Sequence, residues 1–243
     1  MRENGKAARE PPVAPAPFAS TLEAGVASGA IKFTNSGDVG LVATIYGKAF
    51  AAEMAAAVSF SYQGLGWDDA QMLTLCEALR AAHAGGGLRK LEVLNLADNQ
   101  MGDGAMAALA ALLEEGAMPN LERLLLNDNQ ISDAGMAALA SALQACSALF
   151  KLENLYLQRN QISDAGVAAL LEEGAMPNLK TLDLEFNQIS NAGVAALASA
   201  LRGGALPLCT RIDIDGNPGS DAPVMEALAS PERAAALARR RDE

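Results

Sequence analysis

Imidazole is almost missing from this 243-residue chain, whose one histidine is His83. That scarcity excludes most acid–base and metal chemistry that rests on imidazole. Aromatic residues are few, 4% of the sequence, although 51% is hydrophobic. Leu, Val and Ala must therefore fill the core, which favours helices and tightly repeated layers over aromatic-cored sandwiches. Basic residues are outnumbered, with 18 Lys and Arg against 29 Asp and Glu and a formal net charge of −11. Phosphate binding needs a basic face, so no nucleic-acid partner is expected. The three cysteines Cys76, Cys146 and Cys209 cannot all pair, and there is no Asn-x-Ser/Thr acceptor. This usage reads as a reduced, cytoplasmic protein with buried thiols.

No apolar run free of charge stands out as a signal or anchor. Residues 1–20 hold Arg2, Glu3, Lys6, Arg9 and Glu10, followed by prolines at 11, 12, 15 and 17. Proline at that density predicts a disordered arm, and no apolar segment follows the charges to make a secretory signal. The stretch from Val39 to Phe60 is apolar but contains Lys48 and Glu53, each costing roughly 2.5–3.5 kcal/mol near a bilayer centre. A buried helix packed on the next layer is expected there, with no membrane partner. Gly47 and Lys48 look superficially like part of a phosphate-binding loop. Val42 stands where the loop needs its first glycine, and Ala49 where it needs Ser or Thr.

What the chain does have is a repeat. Leu91, Leu94, Leu96, Asn99 and Met101 recur as Leu121, Leu124, Leu126, Asn129 and Ile131. They recur again as Leu152, Leu155, Leu157, Asn160 and Ile162, and as Leu179, Leu182, Leu184, Asn187 and Ile189. A fifth copy keeps the frame with Cys209, Ile212, Ile214 and Asn217, and successive copies start 30, 31, 27 and 30 residues apart. Such self-similarity marks a solenoid whose units bury their apolar faces only against neighbours.

Within a unit, Leu94 and Leu96 alternate as a short strand does. Asn99 then turns the chain, its amide able to bond backbone groups left unpaired by the bend. Ser132, Ser163 and Ser190 are candidate helix N-caps, and Met136, Leu139 and Leu143 form the apolar stripe of a helix. A weaker unit is expected at Val58, Phe60, Gln63 and Leu65, in the places of Leu94, Leu96, Asn99 and Met101. Ile31 and Phe33 would belong to a degenerate cap over residues 21–57. The segment ending at Leu179 nearly duplicates the one ending at Leu121, 58 residues earlier, a sign of recent duplication of two repeats. The repeats should run over residues 58–228. Residues 229–243 would form a capping helix with a basic end.

The units from Leu91 to Ile189 resemble the leucine-rich repeat, in the long form similar to the ribonuclease-inhibitor-like subfamily. That resemblance implies an α/β right-handed leucine-rich-repeat solenoid, a horseshoe with a concave parallel β-sheet and convex α-helices, and a concave face that binds proteins. Ribonuclease inhibitors are cysteine-rich and this chain is not, so ribonuclease inhibition is not implied. The Ran GTPase-activating proteins share these repeats but usually end in an acidic tail, whereas here the end reads Arg239, Arg240, Arg241, Asp242, Glu243.

Residues between the buried leucines must face the concave side. One lane reads Ser59, Asn95, Leu125, Tyr156, Asp183, Asp213; the next reads Ser61, Ala97, Asn127, Gln158, Glu185, Asp215. A flanking lane has Val93, Arg123, Asn154, Thr181 and Arg211. Leu125 and Tyr156 put apolar area where solvent favours polar groups, an arrangement common at binding anchors. Asp183, Glu185, Asp213 and Asp215 set four like charges together without structural return. The expected site is therefore Arg123, Leu125, Tyr156, Gln158, Asp183, Glu185, Arg211, Asp213 and Asp215, receiving a partner protein with a basic segment. No nucleophile–base pair, metal cluster or cofactor motif emerges. The sequence reads as a monomeric, non-catalytic interaction module. A regulator of a Ran-like GTPase, and a scaffold or fragment of a larger sensor, are the alternatives.

Overall fold

The computed structural model describes residues 9–33, 35, 38–145, 151–171 and 176–241. Two helices come first, α1 (Pro15–Ala27) and α2 (Asp38–Ala56). Strand and helix then alternate: β1 (Ser59–Ser61), α3 (Asp69–Ala84), β2 (Val93–Asn95), α4 (Asp103–Glu114), β3 (Arg123–Leu125), α5 (Asp133–Ala145), β4 (Asn154–Tyr156), α6 (Asp164–Leu170), β5 (Thr181–Asp183), α7 (Asn191–Arg202), β6 (Arg211–Asp213) and α8 (Ala222–Leu228). Helix α9 (Pro231–Arg241) closes the chain. The six strands form one parallel sheet in sequence order. Phe60, Leu94, Leu124, Leu155, Leu182 and Ile212 align across it. The aligned residues from Leu94 to Ile212 are buried, as are Leu96, Leu126, Leu157, Leu184 and Ile214 two positions on. Each fully buried leucine contributes about 1.5–3 kcal/mol, and each packs on its own unit and the next.

Two side-chain ladders tie the repeats together. Asn129 Oδ1 accepts the amide of Met101 at 3.0 Å, Asn160 that of Ile131 at 3.0 Å, and Asn187 that of Ile162 at 3.1 Å. Their Nδ2 groups donate both to the preceding repeat and to their own, as Asn160 does to the carbonyls of Leu126 and Leu157. Each asparagine thus serves the unit before it. The first unit has no predecessor, and Leu65 stands where its asparagine would be. Trp67 stands in the place of Met101, its amide bound to Asn99 Oδ1 at 3.0 Å. This corrects the expected frame by two residues. Phe60 pairs with Leu94 and Ser61 with Asn95, leaving Ser59 opposite Val93. The bulkier Phe60 and Tyr62 take the places of the two strand leucines.

The second ladder was not expected. The first residue of each helix from α3 to α7 caps the next repeat. Asp69 accepts from the Gly102 amide, Asp103 from Ser132, Asp133 from Ser163, Asp164 from Ser190 and Asn191 from Ser220. Burial pushes the Asp103 carboxyl up, but bonds from Ser132 and Gly135 outweigh it and hold the group below the usual aspartate range. The Ser190 hydroxyl and amide lower Asp164 likewise. The serines still accept from their own helices, Ser163 from Ala165 and Ser190 from Ala192.

These contacts need glycine. A Cβ on Gly166 would lie 2.6 Å from Asp133 Oδ1 and 2.8 Å from Ile162 Cγ2. Alanine would gain up to about 1 kcal/mol of helix propensity, against about 1–3 kcal/mol for overpacking. We expect Gly166→Ala to lower unfolding free energy in urea by about 1 kcal/mol.

The N-terminal third differs from expectation in three ways. The arm is helical from Pro15, because Pro15 and Pro17 fall in the first turn, where amides have no intrahelical acceptor. Residues 9–14 before it lie across the first repeat. Trp67 Nε1 donates to the Arg9 carbonyl at 2.6 Å, and Tyr46 Oη to that of Val13 at 2.5 Å. Ile31 to Phe33 form no strand; the cap is a helical pair whose Phe18 and Tyr46 rings stack at 3.9 Å. Helix α2 buries only Phe50 and Met54, leaving Leu41 and Ile45 each 57% exposed. The fully packed helix expected there is not found, because no second layer covers its outer side. By length and composition alone α2 could cross a membrane.

Candidate functional site

The strands place the expected residues by register. Leu125, Tyr156, Asp183 and Asp213 align on β3, β4, β5 and β6, with neighbours about 4.8 Å apart. Gln158, Glu185 and Asp215 follow two residues later on the same face. The sheet therefore brings the Leu125–Tyr156 pair directly beside the four carboxylates. Arg123 and Arg211 share the flanking lane with Asn154 and Thr181 between them, about 14 Å apart. They are not brought together.

Charge inside the acidic patch is partly matched. Arg211 Nε lies 2.6 Å from Asp213 Oδ2 in a mostly exposed ion pair. Asp183 has no such direct partner. Burial raises its carboxyl above the usual range, and the neighbouring Glu185 and Asp213 raise it further, against the bond from the Glu185 amide and the charge of Arg211. That bond, 3.1 Å from Glu185 N to Asp183 Oδ1, closes a local turn. Asn95, in the same lane, closes the matching turn by accepting from Ala97 N at 3.0 Å. An amide therefore does the structural task, and the charge at Asp183 is surplus to it. A folded-state pKa above the unfolded value means the native state binds more protons, so stability declines as pH rises through that interval. Asp183→Asn should stabilise the protein at pH 7 by about 0.5 kcal/mol, the scale of a like-charge cross-strand pair. Equilibrium unfolding at pH 7 checks it.

Gln158 Oε1 is shut off from solvent without a hydrogen-bond partner, a costly arrangement for a polar atom. Among the described residues no three His, Cys, Asp or Glu side chains are grouped to hold a metal ion. Cys76 and Cys209 are buried, and burial pushes both thiols up to about 11. Cys146 lies outside the described residues.

The sequence reading passed over two residues at the strand-exit rim. Phe186 is 47% exposed, and the Arg159 guanidinium lies 4.4 Å from its ring centroid. Arg159 also faces Asp128 at 3.8 Å. Both stand immediately before a ladder asparagine, where Asp98, Asp128, Arg159 and Phe186 all have φ between 52° and 56°. Comparing that position across repeats would have isolated Phe186, the one bulky apolar residue in the series.

Family models match three stretches of the sequence. One described as leucine-rich repeats in two copies covers residues 151–197, and one described as a leucine-rich repeat matches residues 87–110 and 117–140. The fold is a leucine-rich-repeat solenoid. Among solved structures, a Bacteroides fragilis protein is 21% identical with a TM-score of 0.46, over 67% of this chain and 42% of its own. An internalin from Listeria monocytogenes is 20% identical with a TM-score of 0.23, over 73% of this chain and 66% of its own. Pollen receptor kinase 3 is 17% identical with a TM-score of 0.29, over 59% and 67%. This chain thus spans less than half the length of the Bacteroides protein. No curated protein matches its sequence.

Proposed function

We propose that the chain is a non-catalytic protein-interaction module that binds a partner's basic segment on the concave sheet. Leu125 and Tyr156 form the apolar anchor, and Asp183, Glu185, Asp213 and Asp215 receive the cationic side chains. Arg123 and Arg211 frame the strand-entry side, and Gln158 lies beside Glu185 in the second lane. The observation that supports this most is Asp183, which keeps a charge that its turn does not need, beside carboxylates that oppose it. Surplus like charge next to half-buried apolar side chains favours complementarity to a cationic partner.

The repeat spacing, 27 to 31 residues with a helix in each unit, supports the ribonuclease-inhibitor-like subfamily. Buried thiols suit a reducing compartment, and we place the chain in the cytoplasm. Two acidic sheets repel face to face, which favours a monomer, and the same charge disfavours nucleic acid. Lys48 and Glu53 within α2 weigh against a membrane partner.

Affinity capture from cytosol tests the proposal, comparing wild type with a Tyr156→Ala/Asp183→Lys/Asp213→Lys variant of unchanged circular dichroism. At least one protein should be retained by wild type only, with affinity that falls as salt rises. Identical sets of retained proteins on the two would refute it.

A further inference from the structure

From residue 68 onward the sequence has three aromatic residues, Phe150, Tyr156 and Phe186. The repeat core uses none of those described; Tyr156 and Phe186 both face solvent on adjoining repeats. Phe186 is unfavourable where it stands. Its φ of 52° is a left-handed conformation that L side chains avoid, and half of its ring meets water. Its neighbours accommodate the ring. Arg159 lies over one side, and Gly216 leaves open the space that a Cβ 2.4 Å from Phe186 Cδ1 would take. The left-handed φ belongs to the repeat, since Asp98, Asp128 and Arg159 share it; what is particular to Phe186 is a bulky apolar ring at that position, half of it in water, from which packing gains little.

We infer that Phe186, held against Arg159, is a second apolar anchor of the concave site, so that the partner is an extended peptide segment with two apolar residues three positions apart and Lys or Arg between them. This rests on the concave-face reading proposed above. Tyr156 pairs with Asp183 on the next strand, and Phe186 lies three residues beyond Asp183, about 10 Å along the strand direction. A peptide in the polyproline II conformation covers about 9 Å in three residues and, with three residues per turn, turns positions i and i+3 to the same face. Its two intervening side chains would project to either side of that face, within reach of Asp183 and Glu185 and of Asp213 and Asp215 one strand away. The apolar ends fit the two rings, and the basic middle fits the carboxylates between them.

The test is selection of a displayed library of random 12-residue peptides on the immobilised full chain. Peptides with apolar–basic–basic–apolar spacing should be enriched. Phe186→Gly should weaken their binding at least tenfold, and alanine at the second apolar peptide position should then cost nothing further. The same variant should melt within about 4 °C of wild type, because relief of the left-handed strain offsets loss of the Arg159 contact. If Phe186→Gly binds like wild type while Tyr156→Ala does not, the second anchor is wrong and the concave site stands. If both variants bind like wild type, both readings fall. A much lower melting temperature for Phe186→Gly would make the ring a packing residue, and no enrichment of this spacing would exclude the peptide class; either overturns the inference.

Discussion

Asn160→Ala should lower the unfolding free energy by about 3 kcal/mol, a large effect for a residue with no apolar area to lose. Asn160 is 7% exposed and sits midway along the asparagine ladder. Its removal strips the Ile131 amide of the acceptor 3.0 Å away, and a buried amide left alone costs about 1–3 kcal/mol. The carbonyls of Leu126 and Leu157 each lose one of two donors but keep the other, from Asn129 and Asn187. A small cavity adds the remainder. Because stability in a solenoid passes through nearest neighbours, the two halves should also lose cooperativity. Urea unfolding would then show a shallower or two-step transition. Asn217, at the end of the ladder and partly exposed, should cost less when replaced.

Arg233→Leu should cost a similar amount, about 3 kcal/mol, but locally. Arg233 is 4% exposed, and its guanidinium donates to the carbonyls of Leu201, Ala205, Leu206 and Cys209 at 2.7–3.1 Å. Those carbonyls belong to the end of α7 and the turn into β6, where Leu201 and Leu206 also accept the amides of Gly204 and Cys209, so that Arg233 adds donors to a turn already closed by the backbone. Leucine fills similar volume, so the loss is in hydrogen bonds to a charged donor, about 1.5–3 kcal/mol for the strong ones. Hydrogen exchange should quicken in β6, α8 and α9 while β2 to β4 stay protected. Uniform loss of protection along the sheet would show that Arg233 acts beyond the end of the solenoid.

Both residues show what could be read in advance. The asparagines recur at fixed places, so their capping task is legible from periodicity, as is the strand–helix alternation. Their direction was not legible. That each serves the preceding unit emerges from the Asn160–Ile131 bond, and it explains why the first unit lacks one. Without that, the sequence puts Val58 and Phe60 in the places that Phe60 and Tyr62 hold, two residues out of register. The aspartate ladder was hidden because Asp133 and Asp164 look like ordinary first-turn acids beside serine caps. Arg233 is a single arginine in a basic helix, and only the packed end distinguishes it from the residues around it. On the concave face, the alignment of Leu125, Tyr156, Asp183 and Asp213 follows from the period of the strand. The Arg211–Asp213 ion pair and the Phe186 platform depend on side-chain geometry beyond that period.

The face carrying Tyr156 and Asp183 is the centre of the account, and it sets stability against binding at one residue. The most direct measurement is the affinity of the captured partner for Asp183→Asn, the variant expected to fold more stably. The account predicts binding weaker by about tenfold, roughly 1.4 kcal/mol, with a reduced dependence on salt. A partner that binds Asp183→Asn as tightly as wild type, with the same salt dependence, would contradict it.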